Sequence, residues 1–247
     1  MTSPSSRILP SVLHIEARIL CGVAPGSIMQ IARYDIKRIA LGLAALGLAL
    51  YVLAGGLLYV FQDKLVYRPY RELKAKPADV GLDFQEASFA AEDGVKLSGW
   101  YMPLAGSRGT VLFCHGNAGN ISHLLEVAEG AHALNFGILL FDYRGYGESE
   151  GQPSEQGTHL DAAAAWKYLV EEKGIDPGRI IVVGRSLGGP MAAKLARDHR
   201  PAALFLEATF TTLHDVGQGL FPIFPVRQFS RIEYPTLDFL ANIQCPV

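Results

Sequence analysis

Residues 179–190 read RIIVVGRSLGGP. Ile180–Val183 is a short continuous apolar run, the pattern of a strand buried on both faces. It stops at Gly184-Arg185-Ser186-Leu187-Gly188, which fits G-x-S-x-G, and Leu187–His199 continues as a helix. That is the strand–turn–helix context in which the pattern carries chemistry. A serine on so sharp a turn lifts its hydroxyl above the edge of a sheet. Glycines at 184 and 188 are needed because strand and helix backbones pass close together. Pro190 suits the first helical turn, where its missing N–H costs nothing. The helix start also offers free N–H groups and the positive end of its dipole to a developing oxyanion. Ser186 is therefore the candidate nucleophile and the Leu187 N–H a candidate oxyanion donor.

Working outward, β-rich runs alternate with helical ones. Ser88–Ala90 and Val95–Tyr101 read as strands paired around Glu92-Asp93-Gly94. Gly109–Cys114 and Gly137–Phe141 read as buried strands, Ile121–Asn135 as a helix, Glu155–Lys173 as a helix closed by Gly174, and Ala202–Leu206 as another strand. Such alternation implies right-handed crossovers and a mainly parallel sheet. Chemistry in these sheets sits at the carboxyl ends of the strands. One such end carries His115-Gly116-Asn117-Ala118-Gly119-Asn120, a turn placed to supply an oxyanion donor, with His115 orienting the turn. A phosphate loop is the weaker reading there, since no G-K-[ST] follows. Another strand end carries Asp142 and Arg144, expected as an ion pair bracing the floor of the site. A second G-x-S-x-G at 147–151 lies in a loop before Gln152-Pro153. Two glutamates flank Ser149 and would oppose an alkoxide, so Ser149 is expected to be structural.

With 22 basic and 24 acidic residues the net charge is −2, which gives no basic face for nucleic acid. The three cysteines, Cys21, Cys114 and Cys245, are too widely spaced for a disulfide scaffold or a cysteine zinc site. No cofactor or metal is expected.

The run from Ile39 to Phe61, IALGLAALGLALYVLAGGLLYVF, carries no charge. It exceeds the roughly 20 apolar residues that span a bilayer and has no polar stripe. The expectation is one transmembrane anchor at 36–61, a tail at 1–35 and a catalytic domain at 62–247. The protein would be single-pass in a plasma or inner membrane. Basic residues on both sides (Arg33, Lys37 and Arg38 before; Lys64, Arg68, Arg71, Lys74 and Lys76 after) leave its orientation open. Tyr51, Tyr59 and Tyr67 are candidate interfacial aromatics. Residues 1–28 are either an over-extended reading frame, with the true start at Met29, or a genuine tail.

Taken together, HGNAGN at 115–120, FDYRGYGESEG at 141–151, GRSLGG at 184–189 and LEATFTTL at 206–213 resemble the α/β-hydrolase superfamily. They are most similar to membrane-anchored serine hydrolases of the serine aminopeptidase and prolyl-oligopeptidase-like branch. The resemblance covers residues 62–247. It implies an α/β-hydrolase fold, Ser186 as nucleophile, the N–H groups of Asn117 and Leu187 as oxyanion hole, and His115, Gly116, Asp142, Arg144, Gly184 and Gly188 as supports. It also implies a small-molecule or lipid-like acyl substrate and a serine hydrolase acting on an ester, thioester or amide. A catalytic acid and histidine belong downstream. The chain ends at Ile243-Gln244-Cys245-Pro246-Val247, which looks like the entry to the acid-bearing strand, so the fold is expected to be C-terminally incomplete and this chain inactive as a fragment. Glu207 with His214 is a formal alternative pair. His199 lies about 20 Å along its helix from Ser186. His14, His123, His132 and His159 are expected at the surface. Leu220–Pro235 sits at the lid position, either as an acyl-binding cap or as a connecting loop. The competing function is a non-catalytic membrane-bound protein of the same fold.

Overall fold

A computed structural model describes residues 25–247. Residues 1–24, with Cys21, His14 and most of the expected tail, lie outside the described residues, and so does any evidence on the start at Met29. Helix α1 runs Pro25–Val66, starting before the apolar run and outlasting it. Its stretch Arg33–Val66 is long and apolar enough to cross a membrane, judged by length and composition. Large side chains there stay open: Leu41 is 70% exposed and Leu48 65%. The chain divides after Leu57 into two compact units, and the sheet belongs to the second, Leu58–Val247.

The second unit lays down eight strands: β1 (Arg68–Pro69), β2 (Gln85–Ala90), β3 (Lys96–Met102), β4 (Thr110–Cys114), β5 (Ala118–Gly119), β6 (Gly137–Phe141), β7 (Ile180–Arg185) and β8 (Ala203–Glu207). Six of them form one sheet in the order β2-β3-β6-β4-β7-β8. β2 and β3 pair antiparallel, as does β3 with β6, while β6, β4, β7 and β8 run parallel. β1 and β5 make a separate parallel ladder of two residues each.

Side chains alternate across the pleat, so β4 serves two cores. Leu112 and Cys114 join one cluster with Leu139, Phe141, Val182 and the apolar faces of α3 (Glu155–Lys167) and α4 (Gly188–His199). Val111 and Phe113 join the other with Trp100, Ile138, Leu140 and the inner face of α2 (Leu125–Ala133). Both faces being covered explains the uninterrupted apolar runs of β4 and β6. Ala162, Ala164 and Ala165 on α3 are small enough to bring that helix close to the sheet. α3 ends in a π-helical turn, Tyr168–Glu172, rather than continuing to Lys173 as one helix. Beyond β8 come α5 (Leu213–Leu220), α6 (Val226–Phe229) and α7 (Thr236–Leu240). The last residues lie along the outer edge of β8, where the Leu204 N–H donates to the Pro246 carbonyl at 2.9 Å.

Tyr67 departs from its expected interfacial place. It is buried, and its hydroxyl meets that of Tyr234 at 2.8 Å, which in turn meets Thr158 Oγ1 at 2.7 Å. A phenol with its oxygen so partnered belongs to the domain core and not to a lipid surface.

Candidate active site

Ser186 occupies the left-handed region with φ +51°. For a residue with a side chain this costs on the order of 1–3 kcal/mol and persists only where neighbours over-determine it. They do so here. The Ser186 N–H donates to the Glu207 carbonyl at 2.8 Å, and the Ser186 carbonyl accepts from the Gly189 N–H at 3.0 Å and Thr209 Oγ1 at 2.9 Å. Arg185 Nε reaches Glu207 Oε2 at 2.8 Å, pinning the ends of β7 and β8 together. A Cβ at Gly184 would lie 2.6 Å from Ala192 Cβ, and one at Gly188 would run into the carbonyl oxygens of Cys114 and His115. The turn therefore needs both glycines. The Ser186 hydroxyl is half-buried and makes no hydrogen bond with any described residue.

Gly116 brings the neighbouring loop alongside: a Cβ there would be 3.6 Å from Ser186 Cβ. Asn117 follows. Its Oδ1 accepts from the Arg68 N–H at 3.0 Å and from the Tyr146 hydroxyl at 2.9 Å. Among the described residues neither the Asn117 N–H nor the Leu187 N–H has an acceptor. These two donors stand on loops flanking the serine. The side-chain clamp on Asn117 carried no sequence signal, because β1 is two residues long and has no period.

Beneath the loop, His115 is buried, with Nδ1 2.7 Å from the Gly116 carbonyl and Nε2 3.5 Å from Asp142 Oδ1. Asp142 Oδ1 also accepts the Ile121 N–H at 3.0 Å. Burial drives the imidazole down to about 4 and the carboxyl up to about 8, so both favour their uncharged forms. The pair supports the loop from inside the protein.

The expected ion pair of Asp142 with Arg144 does not form. Arg144 instead holds Asp161 (Nη2 to Oδ1, 2.8 Å) and Asp93 (Nη1 to Oδ2, 2.7 Å). Past the end of β6 the chain enters a turn in which the Tyr146 N–H donates to the Tyr143 carbonyl at 2.9 Å, and the two side chains take different directions. Asp142 points under the 115–120 loop, while Arg144 ties α3 to the β2–β3 turn. Ser149 is fully buried: its hydroxyl donates to the Asp142 carbonyl at 2.7 Å and accepts the Ser98 N–H at 2.9 Å.

The histidines are dispersed. His159 is not the surface residue expected: its ring lies 5.5 Å from that of Tyr234 and 5.6 Å from that of Phe239, and burial lowers it to about 4. His132 Nε2 is 3.3 Å from the Met102 carbonyl, while His123 is exposed. His199 stacks on Trp166 with ring centroids 5.0 Å apart. On α5, His214 has a buried Nε2 with no hydrogen-bond partner, and Glu207 is committed to Arg185 and not to His214. No grouping of three His, Cys, Asp or Glu residues suited to a metal occurs among the described residues.

A mostly parallel sheet that lifts a serine on a strained turn at its carboxyl edge defines the α/β-hydrolase class. A family model described as the alpha/beta hydrolase fold matches residues 109–220. Uncharacterized protein Rv2307c of Mycobacterium tuberculosis is 38% identical over 79% of this chain and 71% of its own length. The alpha/beta hydrolase domain-containing protein WAV2 of Arabidopsis thaliana is 37% identical over 79% of this chain and 71% of its own. An uncharacterized membrane protein of Saccharomyces cerevisiae, YNL320W, is 30% identical over 71% of this chain and 64% of its own. Among solved structures, the Pyrococcus furiosus esterase Pf2001 matches with TM-score 0.60 and 25% identity, covering 72% of this chain and 75% of that one. The chain belongs to the α/β-hydrolase superfamily.

Two outcomes follow from the geometry. Gly188→Ala should destabilise the domain by about 1–3 kcal/mol, because its methyl must displace backbone and not a flexible side chain; chemical unfolding in detergent measures it. The His115–Asp142 pair sets a pH dependence. Folded, it keeps one proton up to about pH 8; unfolded, the two groups return to ordinary values of 6.5 and 3.8 and hold none above 6.5. From about pH 4 to 6.5 each state holds one proton and the pair contributes no slope. Above that the folded state binds more protons, so stability should fall with rising pH by about 1.4 kcal/mol per unit up to about pH 8. Asp142→Asn should remove that slope, as read from unfolding midpoints at pH 6.5 and 8.

Proposed function

We propose that this chain is a membrane-anchored serine hydrolase acting on an acyl ester, thioester or amide through an acyl-enzyme at Ser186. The observation carrying this reading is the elbow: a half-buried serine at φ +51°, its hydroxyl unengaged, beside two N–H groups without acceptors. Attack of Ser186 Oγ on the acyl carbonyl carbon would place a negative oxygen between the Asn117 and Leu187 N–H groups. Collapse would expel the alcohol, thiol or amine, and water would then release the acid and restore the serine. The start of α4 adds its dipole to the oxyanion. The esterase likeness agrees with this chemistry. The membrane part of the reading is supported by the open apolar surface of α1 and by the description of the yeast relative.

A second reading, a binding protein of the same fold, is favoured by one observation: no described histidine hydrogen-bonds Ser186. A serine hydroxyl without a base is a weak nucleophile near neutral pH.

In the protein extended to its natural stop codon, a fluorophosphonate probe should modify Ser186 and lose its target in Ser186→Ala, while Ser149→Ala still labels. Label surviving Ser186→Ala overturns the assignment, and no label at all favours the binding protein. Residues 1–247 assayed with a short p-nitrophenyl ester should show only residual acceleration, on the order of 10³–10⁴ over water, because an oxyanion hole acts without a base. His214→Ala should leave that rate unchanged; a large, Ser186-dependent rate lost in His214→Ala makes His214 the base.

A further inference from the structure

We propose that Leu220–Arg231 is a membrane-surface element, its apolar side chains seated at the headgroup–acyl boundary of the bilayer that α1 enters. The proposal rests on the reading of α1 as a membrane anchor. The segment is tied to the turn of α1 where the uncharged run Ile39–Phe61 ends. Gln62 Oε1 accepts the Arg231 N–H at 2.8 Å and the Ser230 hydroxyl at 3.3 Å. Arg231 Nη2 reaches the Tyr59 carbonyl at 3.5 Å, and its guanidinium lies 5.0 Å from the centroid of the Tyr59 ring. Asp63 closes the contact with Arg231 at 3.7 Å. Tyr59 belongs to the uncharged run itself. Whatever depth the run's last turn takes in a bilayer, residues bonded to Tyr59 and Gln62 share it within a few ångströms.

What this segment shows to its surroundings is apolar. Phe229, one residue before Ser230, is 64% exposed, and Leu220 is 69% exposed. The segment's backbone is also prepared for a medium with little water. Pro222 and Pro225 have no N–H to satisfy. Gln218 serves three of the remaining polar groups at once: its Nε2 donates to the carbonyls of Phe224 at 3.1 Å and Pro222 at 3.4 Å, and its Oε1 accepts the Val226 N–H at 3.1 Å. Near lipid an unsatisfied backbone group costs several kcal/mol, so such internal pairing is what entry requires. Arg227 and Arg231 flank the apolar residues on stems long enough to keep their charge among headgroups. Arg227 is partnered by Asp215.

The test uses tryptophan depth. The native Trp100 and Trp166 are 2% and 5% exposed and form a shielded background. Phe229→Trp and Leu220→Trp are introduced separately into the whole chain and reconstituted in vesicles of phosphatidylcholine with brominated acyl chains. The control is Leu134→Trp, exposed at the end of α2 just before β6, at the sheet edge opposite Ser186. Loss of most of the added emission in the Phe229→Trp and Leu220→Trp chains, with a blue shift, and none in the control is the expected result. A chain that floats with the vesicles while the indoles introduced at Phe229 and Leu220 stay bright overturns the surface element and leaves the anchor standing. A chain that does not float overturns both. Equal quenching in Leu134→Trp also overturns the proposal, since it marks general adsorption.

Discussion

Ser186 keeps its left-handed backbone where nothing larger than hydrogen fits on either side: a Cβ at Gly184 would meet α4, and one at Gly188 the backbone at the end of β4. The rest of the site is arranged around that close pass. β7 lies next to β4 in the sheet, so the loop after β4 arrives beside the serine without further help. The Glu207 carbonyl at the end of β8 takes the serine's own N–H, which recruits the neighbouring strand into holding the turn. At the start of α4 the Leu187 N–H has no acceptor among the described residues, while the Gly189 N–H closes back on the Ser186 carbonyl. Backbone sterics, more than any side-chain contact, shape this turn.

Beneath the same loop, polarity is handled by neutralisation. His115 and Asp142 stand 3.5 Å apart in a setting that penalises either charge. One proton held between them leaves no bare ion in the core. Arg144 takes the opposite course, with two carboxylates gathered about one guanidinium. The contrast follows from geometry: Arg144 has room for bidentate partners on α3 and on the β2–β3 turn, whereas Asp142 faces a single ring and one N–H.

The order of strands and helices was legible because strands covered on both faces give unbroken apolar runs, and β4 and β6 are such strands. The elbow was legible because its glycines and serine fall in a fixed spacing within five residues, even though the atoms that forbid a Cβ at Gly188 belong to distant Cys114 and His115. Contacts made across long stretches of sequence were not. Tyr67 read as a membrane-facing aromatic, yet its partner Tyr234 lies 167 residues away. His159 read as a surface residue for the same reason, since Tyr234 and Phe239 cover it. Asp142 and Arg144 looked like partners because they are close in sequence; the turn after β6 separates them, and no pattern in the residues reports the direction of a turn. The ladder of β1 with β5 is too short to have a period at all.

That ladder sets how force travels. The end of α1 is fastened at Gln62 against Arg231 and the chain after it at Tyr67 against Tyr234, before Arg68 meets Asn117. A pull or twist arriving along α1 is therefore shared by the Gln62–Arg231 contact and the buried Tyr67 before it reaches the two-residue ladder. Shear along so short a ladder parts its few bonds almost together and takes the Arg68 N–H from the Asn117 carboxamide, which keeps the Tyr146 hydroxyl. The loop beside Ser186 thus feels strain along α1 through a link far weaker than the six-stranded sheet behind it.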